Sequence, residues 1–496
     1  MKNLTERSNY EIGRKLTAGL IFTALVGVYI LVTNRLILQV DRILAKSEGA
    51  LGGRGNIWAV VIMIPVILGL LVSLVKVKFR PATSVGLLML AFPLLGRVRN
   101  VLGVAIYRLS GPDGWVEYVG LTSLGIVVLF LVFRLRRVSM RRPDSKAFRI
   151  VEACLWLFAG LGTFAQLMHH EPMSAILLSF NGLWQYLLWF YVVTGAVRST
   201  KDTLSLFAWF SGMLMINIVL RPLFTGVLYD PSWAAGGYFA TRFYASGLGW
   251  ASNYSILLAI SVILNVGLLS EAKTQKARVV WLTFSALQMV ELFFTFTRGA
   301  YITLAFSLLF LLAWPGTRRA AATVLAILTL GVLSALFVWG DMTKLVLGAR
   351  IGIWQGDFGR WELLLSGISD VLHDWGLGFG IFKEPSYYVL SIKRELPAHN
   401  FFLVLVHAVG LWAALAWISA FLTSLSKLIK QLRYRAQNAN SILGIILVVA
   451  ILAWLFFENI TGPGITGYFP VEATATIYTL IALTTTMSLI SEESLS

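Results

Sequence analysis

Charge and cysteine are both scarce in this chain. A single cysteine, Cys154, among 496 residues leaves no internal disulfide to form. It sits within an apolar segment and is expected to serve as packing. No clustered Cys/His set with metal-ligand spacing occurs, and neither a Walker loop nor a dinucleotide-type glycine pattern is found. The expectation is therefore no cofactor and no metal. A soluble domain is also missing, and with it the Asp-rich soluble site that a cytoplasmic nucleotide-sugar enzyme would want. Only 13% of residues are charged, and acidic side chains number 24 against 41 Lys and Arg. The resulting net charge of +17 would suggest nucleic acid in a soluble protein. Here the basic residues lie mostly in short loops between apolar runs, so membrane topology accounts for them and no nucleic-acid partner is expected.

What the chain does have is hydrophobic sequence, 57% of it, in long runs from residue 17 to residue 490. This composition reads as an all-α, polytopic membrane protein in contact with lipid along most of its length. The first run, Leu16 to Val32, follows basic residues as a signal peptide would. No small-residue cleavage site follows it, so it is expected to be a true span. At about 20 residues per span, helices are expected near 17–34, 57–77, 82–97, 116–134, 148–168, 173–196, 203–226, 252–271, 278–297, 299–315, 320–340, 401–428, 442–463 and 471–490. That is a bundle of about 12 to 14 transmembrane helices.

Loop charge sets the expected orientation. "KVKFRP", "FRLRRVSMRRPDSKAFR", "VRSTK", "EAKTQKAR", "GTRRAA" and "KLIKQLRYR" all follow even-numbered spans, which places those loops and the N-terminus in the cytoplasm. The segment 35–56, with Arg35, Arg42, Lys46 and Arg54, is the exception. Two long connections, 227–251 and 341–400, then face outward. Connections of this length in a compact bundle are usually functional or disordered, and these are rich in aromatic residues and glycine, which favours order. Within the second, Trp361, Leu364, Leu365, Ile368, Leu372 and Trp375 fall on one helical stripe. That is the pattern of an amphipathic helix lying on a membrane or capping a cavity.

The polar residues of interest gather at the outer ends of spans. Arg298, in "FTFTRGAYITL", ends the ninth run, where an arginine can also simply snorkel to headgroups. Glu291, seven residues earlier, lies deeper and should face the bundle interior, as a structural counter-charge. Arg242 precedes the eighth run, and Asn253 stands near that run's start. His399 closes the second long connection just before the twelfth run, inside which His407 lies. Guanidinium groups bind pyrophosphate in bidentate fashion and offset charge developing on a phosphate leaving group. An imidazole with pKa near 6.5 can take a proton from a hydroxyl. Two arginines and a histidine on one membrane face therefore suit transfer of a sugar from a lipid pyrophosphate, with the arginines standing in for a metal.

These segments resemble the O-antigen ligase and O-antigen polymerase superfamily of polytopic membrane glycosyltransferases. "TFTRGAYITL" is similar to the family's Ser-Arg-Gly-Ala segment, with Thr297 in place of Ser. "AHNFFLVLVHAVGLWAA" is similar to its His-Asn segment followed by Gly-x-x-Gly, matching at His399, Asn400 and Gly410, with Ala413 for the second Gly. "TRFYASGLGWASNYSILLAI" looks like its Arg-to-Asn stretch leading into a span. "GRWELLLSGISDVLHDWGLGFGIF", beginning near Arg360, looks like its Arg-to-Pro-Leu-Gly-x-Gly loop, with Trp375-Gly376 where Pro would stand. His407 occupies a place where the family commonly has an acidic residue.

The resemblance covers about residues 235–430 and implies a division into N-terminal transmembrane helices, 1–200, and a C-terminal catalytic region, 201–496. It implies an enzyme that moves a glycan from an undecaprenyl-pyrophosphate donor to a lipid- or glycan-linked acceptor at the periplasmic face of a bacterial inner membrane, without a metal. Arg242 and Arg298 would contact the pyrophosphate and His399 would be the base, with Asn400, Asn253 and Arg360 near the substrate. A lipid-linked oligosaccharide flippase is the rival reading. It calls for charge along a cavity reaching both faces and often a duplication of halves, and no duplication is visible.

Overall fold

A computed structural model describes residues 79–110, 121–139, 145–169, 172–225, 251–295, 297–338, 401–434, 439–461 and 471–493, with short stretches at 69, 72–74, 77, 365–369, 376–378, 386–389 and 394–397. Among the described residues the chain is almost entirely helical. The helices are α1 (Pro81–Ser110), α2 (Leu121–Leu135), α3 (Lys146–His169), α4 (Pro172–Ser179), α5 (Gln185–Ala196), α6 (Thr200–Thr225), α7 (Ala251–Glu271), α8 (Gln275–Phe294), α9 (Arg298–Ala313) and α10 (Arg318–Val338). They continue as α11 (Phe401–Val409), α12 (Leu411–Tyr434), α13 (Ala439–Thr461) and α14 (Val471–Glu493). Ser386–Val389 and Arg394–Pro397 form a small antiparallel hairpin, β1 and β2.

Among the described residues, five stretches are long and apolar enough to cross a membrane: Lys146–His169, Ala175–Ala196, Thr200–Val219, Tyr254–Glu271 and Leu411–Lys430. Shorter apolar helices occupy Pro81–Leu95, Thr122–Leu135, Gly299–Ala313 and Ser441–Phe456. The chain is thus a helical protein built to enter a bilayer. The expected spans 17–34 and most of 57–77 lie outside the described residues. Two expectations are corrected. The third expected helix, 82–97, runs 30 residues, Pro81–Ser110, despite Pro93 within it. The expected single span 401–428 is two helices, α11 and α12, separated at Gly410.

Local chemistry explains where helices start and stop. Pro81 and Pro172 occupy first helical positions, where a missing N–H costs nothing. Thr274 caps α8 by accepting from the Ala277 amide at 3.2 Å, and the Ser145 hydroxyl accepts from the Phe148 amide at 3.2 Å. Ser199 and Asp202 make a reciprocal cap at the start of α6: the Asp202 amide donates to the Ser199 Oγ at 3.3 Å, and the Arg198 amide donates to Asp202 Oδ2 at 3.0 Å. A π-helical turn, Phe180–Trp184, joins α4 to α5 within what the hydropathy reads as one span.

Side-chain contacts fix how the helices run relative to one another. Near one end of the bundle, Gly267 of α7 lies against Phe207 of α6 and Ile446 of α13. Gly316, just past α9, lies against Ile442 of α13, and Gly444 of α13 lies against Leu432 of α12. At the other end, the Tyr254 hydroxyl of α7 donates to Glu291 of α8 at 3.3 Å, and Gln166 of α3 reaches the Ala408 carbonyl of α11 at 3.3 Å. The starts of α7, α9 and α12 and the finishes of α3, α6, α8, α10 and α13 therefore share one end. Both long connections, following α6 and α10, leave and rejoin the bundle at that end.

The opposite end is basic. Arg134, Arg136, Arg137, Lys146, Arg198, Lys273, Lys276, Arg278, Arg318, Arg319, Lys427 and Lys430 belong to helix ends and turns there. Several donate to backbone carbonyls at or just beyond helix ends: Arg136 Nη2 to Val77 at 2.8 Å, Arg278 Nε to Ala272 at 3.2 Å, and Arg318 Nε to Leu312 at 3.1 Å. The basic turns thus act as caps as well as charge.

Candidate functional site

Of the six residues proposed from the sequence, two fall on described backbone and both stand at the non-basic end. Arg298 is the first residue of α9, and Asn253 is the third of α7, helices that pack against each other. Their side chains are outside the described part, as are Arg242, Arg360, His399 and Asn400 entirely. The chain positions of three of these are still constrained. Arg242 lies in the connection that re-enters at α7, and His399 and Asn400 immediately precede Phe401, the first residue of α11.

The turn that carries Arg298 is built by hydroxyls. α8 ends at Phe294 and α9 starts four residues later, so the last carbonyls of α8 lose their helical donors. The buried Thr295 hydroxyl donates to the Leu292 carbonyl at 2.7 Å, and the buried Thr297 hydroxyl donates to the Thr295 carbonyl at 3.2 Å. The Tyr301 hydroxyl returns from the first turn of α9 to the Leu292 carbonyl at 3.1 Å and also bonds that of Phe293. Thr297 therefore supplies at this turn the hydroxyl that a serine would supply. The consequence is a fixed backbone at Arg298, with a helix N-terminus and its partial positive charge beside it.

Below that turn lies a polar seam through α6, α7 and α8. Glu291 is only 6% exposed and accepts the Tyr254 hydroxyl bond. One turn deeper, Gln288 accepts from Asn265 Nδ2 at 3.0 Å and donates through Nε2 to the Ser211 hydroxyl at 3.0 Å and its carbonyl at 3.3 Å. All three of these partners are fully buried. Glu291 faces the bundle interior, as expected for an acid within an apolar helix. Sequence reading passed over Asn265, Gln288 and Ser211. Their signal was present, since each is a polar residue inside a largely apolar helix, a placement that generally means a partner on a neighbouring helix.

The second part of the site is the break before α12. Gly376, Gly378 and Gly410 all have positive φ, at 73°, 79° and 86°. The Leu411 amide donates to the Gly376 carbonyl at 2.7 Å, so the connection itself caps the start of α12. A Cβ on Gly378 would stand 2.4 Å from the Gly410 nitrogen, and one on Gly410 would stand 2.3 Å from the Gly376 oxygen. Only glycine fits this backbone-to-backbone junction. On the far side, Gln166 of α3 donates to the Ala408 carbonyl at 3.3 Å, one of those released by the break.

This junction moves His407. The hydropathy places it within a span, whereas the structure places it in the last turn of α11, half-buried and just ahead of the break. Leu411–Lys430 carries the apolar span, and α11 is a separate element outside it. Cys154 is half-buried against the core, a packing residue as expected. Among the described residues, no group of three His, Cys, Asp or Glu side chains could hold a metal ion.

No protein-family model matches this chain, and no curated protein matches it at a significant level.

Proposed function

We propose that this protein is a membrane glycosyltransferase of the bacterial cytoplasmic membrane. It moves a glycan from an undecaprenyl-pyrophosphate donor to an acceptor hydroxyl at the outer face. The observation that carries this reading is convergence. The start of α9 with Arg298, the start of α7 with Asn253, both long connections and the start of α11 behind His399 and Asn400 attach at one end, opposite the basic end. The positive-inside rule assigns the basic end to the cytoplasm and the convergent end to the periplasm. The resemblance of the same segments to the ligase and polymerase superfamily supplies the reaction.

In this reading the bond from the anomeric carbon to the pyrophosphate oxygen breaks, and a bond from that carbon to the acceptor oxygen forms with inversion. Arg298 and Arg242 bind the pyrophosphate and stabilise the charge that collects on it as it leaves. His399 takes the acceptor's proton, while Asn400, Asn253 and Arg360 orient donor and acceptor. The hydroxyl-fixed turn at residues 295–301 keeps the Arg298 backbone from shifting between donor binding and departure.

The polar seam favours a transferase over a flippase. Asn265, Gln288 and Ser211 are fully buried, with Asn265 and Ser211 each hydrogen-bonded to Gln288, which is packing rather than the lining of a path across the membrane. The acceptor separates two products. A lipid A core acceptor makes the protein a ligase, and a second lipid-linked glycan makes it a polymerase. Deleting the gene and resolving the surface glycans by gel tests this. Loss of every chain attached to lipid A supports the ligase, single-repeat products support the polymerase, and an unchanged glycan profile refutes both.

A further inference from the structure

Two of the described pieces of the connection between α10 and α11, residues 365–369 and 376–378, are built the same way, with glycine inward and aliphatic side chains outward. Residues 365–369 form a short helical stretch. Its buried face is Gly367, packed so close to Leu403 of α11 that a Cβ would stand 2.7 Å from that side chain. Its outward face carries Leu365, 52% exposed, and Ile368, 43% exposed, with Ser369 beside them. At residues 376–378 the pattern repeats: Gly376 and Gly378 are buried against the α11–α12 break, and Leu377 points outward, 48% exposed. A loop meeting water would do the reverse, since burying aliphatic groups is its main source of stability.

What the outward side chains meet follows from their neighbour. The Leu377 backbone sits against Gly410, and Trp412, two residues on, is 63% exposed. Trp412 heads a stripe continued by Leu415 and Leu422 at helical spacing, all exposed, along the stretch of α12 that is long and apolar enough to cross a membrane. Tryptophan at the end of such a stretch is typical of the headgroup level. The outward face of the connection is thus continuous with a lipid-facing stripe, at its interfacial end.

We propose that residues 365–369 and 376–378 form a membrane-surface docking element, with Leu365, Ile368 and Leu377 inserted into the lipid leaflet at the level of Trp412. Its glycines clamp it to α11 and to the α11–α12 break. This inference rests on the exposed face and the glycine junctions, and it stands whatever reaction the protein performs. It also decides between two readings of the amphipathic stripe: its described members face lipid and do not cap a cavity.

The test uses full-length protein in lipid nanodiscs, with Cys154→Ala and single cysteines introduced as Leu365→Cys, Ile368→Cys, Ser369→Cys or Leu377→Cys, each spin-labelled. Leu422→Cys serves as the lipid reference and Lys201→Cys, on the exposed surface of the basic end, as the aqueous one. Power saturation with oxygen and with a water-soluble nickel chelate then reports depth. Labels at 365, 368 and 377 are expected to favour oxygen over nickel as the label at 422 does, with 369 intermediate. Nickel accessibility equal to that at 201 would overturn the proposal. Shielding from both reagents would also overturn it, because the face would then be covered by protein.

Discussion

Gly378 and Gly410 meet backbone to backbone, so closely that a Cβ on Gly378 would stand 2.4 Å from the Gly410 amide nitrogen. Both have positive φ, at 79° and 86°. The junction ties a connection far from α12 in sequence to the point where an apolar run splits into α11 and α12. Gly378→Ala should therefore carry two costs, a left-handed backbone of about 1–2 kcal/mol and a clash with backbone that has nowhere to move. The expected outcome is a lower unfolding midpoint in detergent and a raised protease sensitivity at 365–400. Gly331→Ala, in the interior of α10 with open space around its Cβ, is the control and should leave the protease sensitivity unchanged and not lower the midpoint.

The polar seam gives a second prediction. Asn265 and Gln288 bond across α7 and α8 at 3.0 Å in the buried interior. A double-mutant cycle with Asn265→Ala and Gln288→Ala should return a coupling of about 0.6 kcal/mol, with about 1.7 as the upper end for such pairs in a membrane protein. The measurement is unfolding free energy in mixed micelles. A coupling indistinguishable from zero would mean that the two amides do not act on each other.

Gln166 and the break at Gly410 give a third. Gln166 is fully buried and reaches the Ala408 carbonyl at 3.3 Å and the Gly162 carbonyl at 3.4 Å. Gln166→Leu should destabilise the protein by about 1 kcal/mol, the net worth of a hydrogen bond to a buried acceptor. Amide exchange should accelerate in α11 more than in α9, because α11 is the element whose freed carbonyl loses its donor.

A fourth concerns the turn at Arg298. Thr297→Ser keeps the hydroxyl that donates to the Thr295 carbonyl, while Thr297→Val removes it and retains the shape. Glycan transfer in membranes is expected to survive the first change and fall about 10-fold or more with the second, since misplacing a group by about 1 Å can cost 10²-fold. Equal activity for both variants would show that the hydroxyl does not position Arg298.

Much of this architecture is legible in hydropathy because each helix must bury its backbone polar groups within itself to enter lipid. The helices α3 to α10 accordingly fall close to the expected ranges. The break at Gly410 was not legible. "FFLVLVHAVGLWAAL" is continuously apolar, and a lone glycine is tolerated in a membrane helix. What splits the run is Gly376 and Gly378, more than thirty residues earlier in the chain. The direction of the amphipathic stripe was equally hidden, because periodicity gives a face but not what the face meets. The site itself was legible only as residue types on one side. Arg242, Arg360, His399 and Asn400 lie outside the described residues, and the polar seam beneath Arg298 needed the neighbouring helices to become visible.

Arg298 is the central residue of the proposed site. Its most direct test is glycan transfer by purified protein reconstituted with a polyprenyl-pyrophosphate-linked donor and a hydroxyl acceptor, comparing the wild type with Arg298→Ala and Arg298→Lys. Loss of a preorganised charge contact to a leaving group costs about 10²–10³ in rate. A fall of that size is expected for Arg298→Ala, partial activity for Arg298→Lys, and an unchanged unfolding midpoint for both. Transfer at the wild-type rate by Arg298→Ala would contradict the proposed role of Arg298.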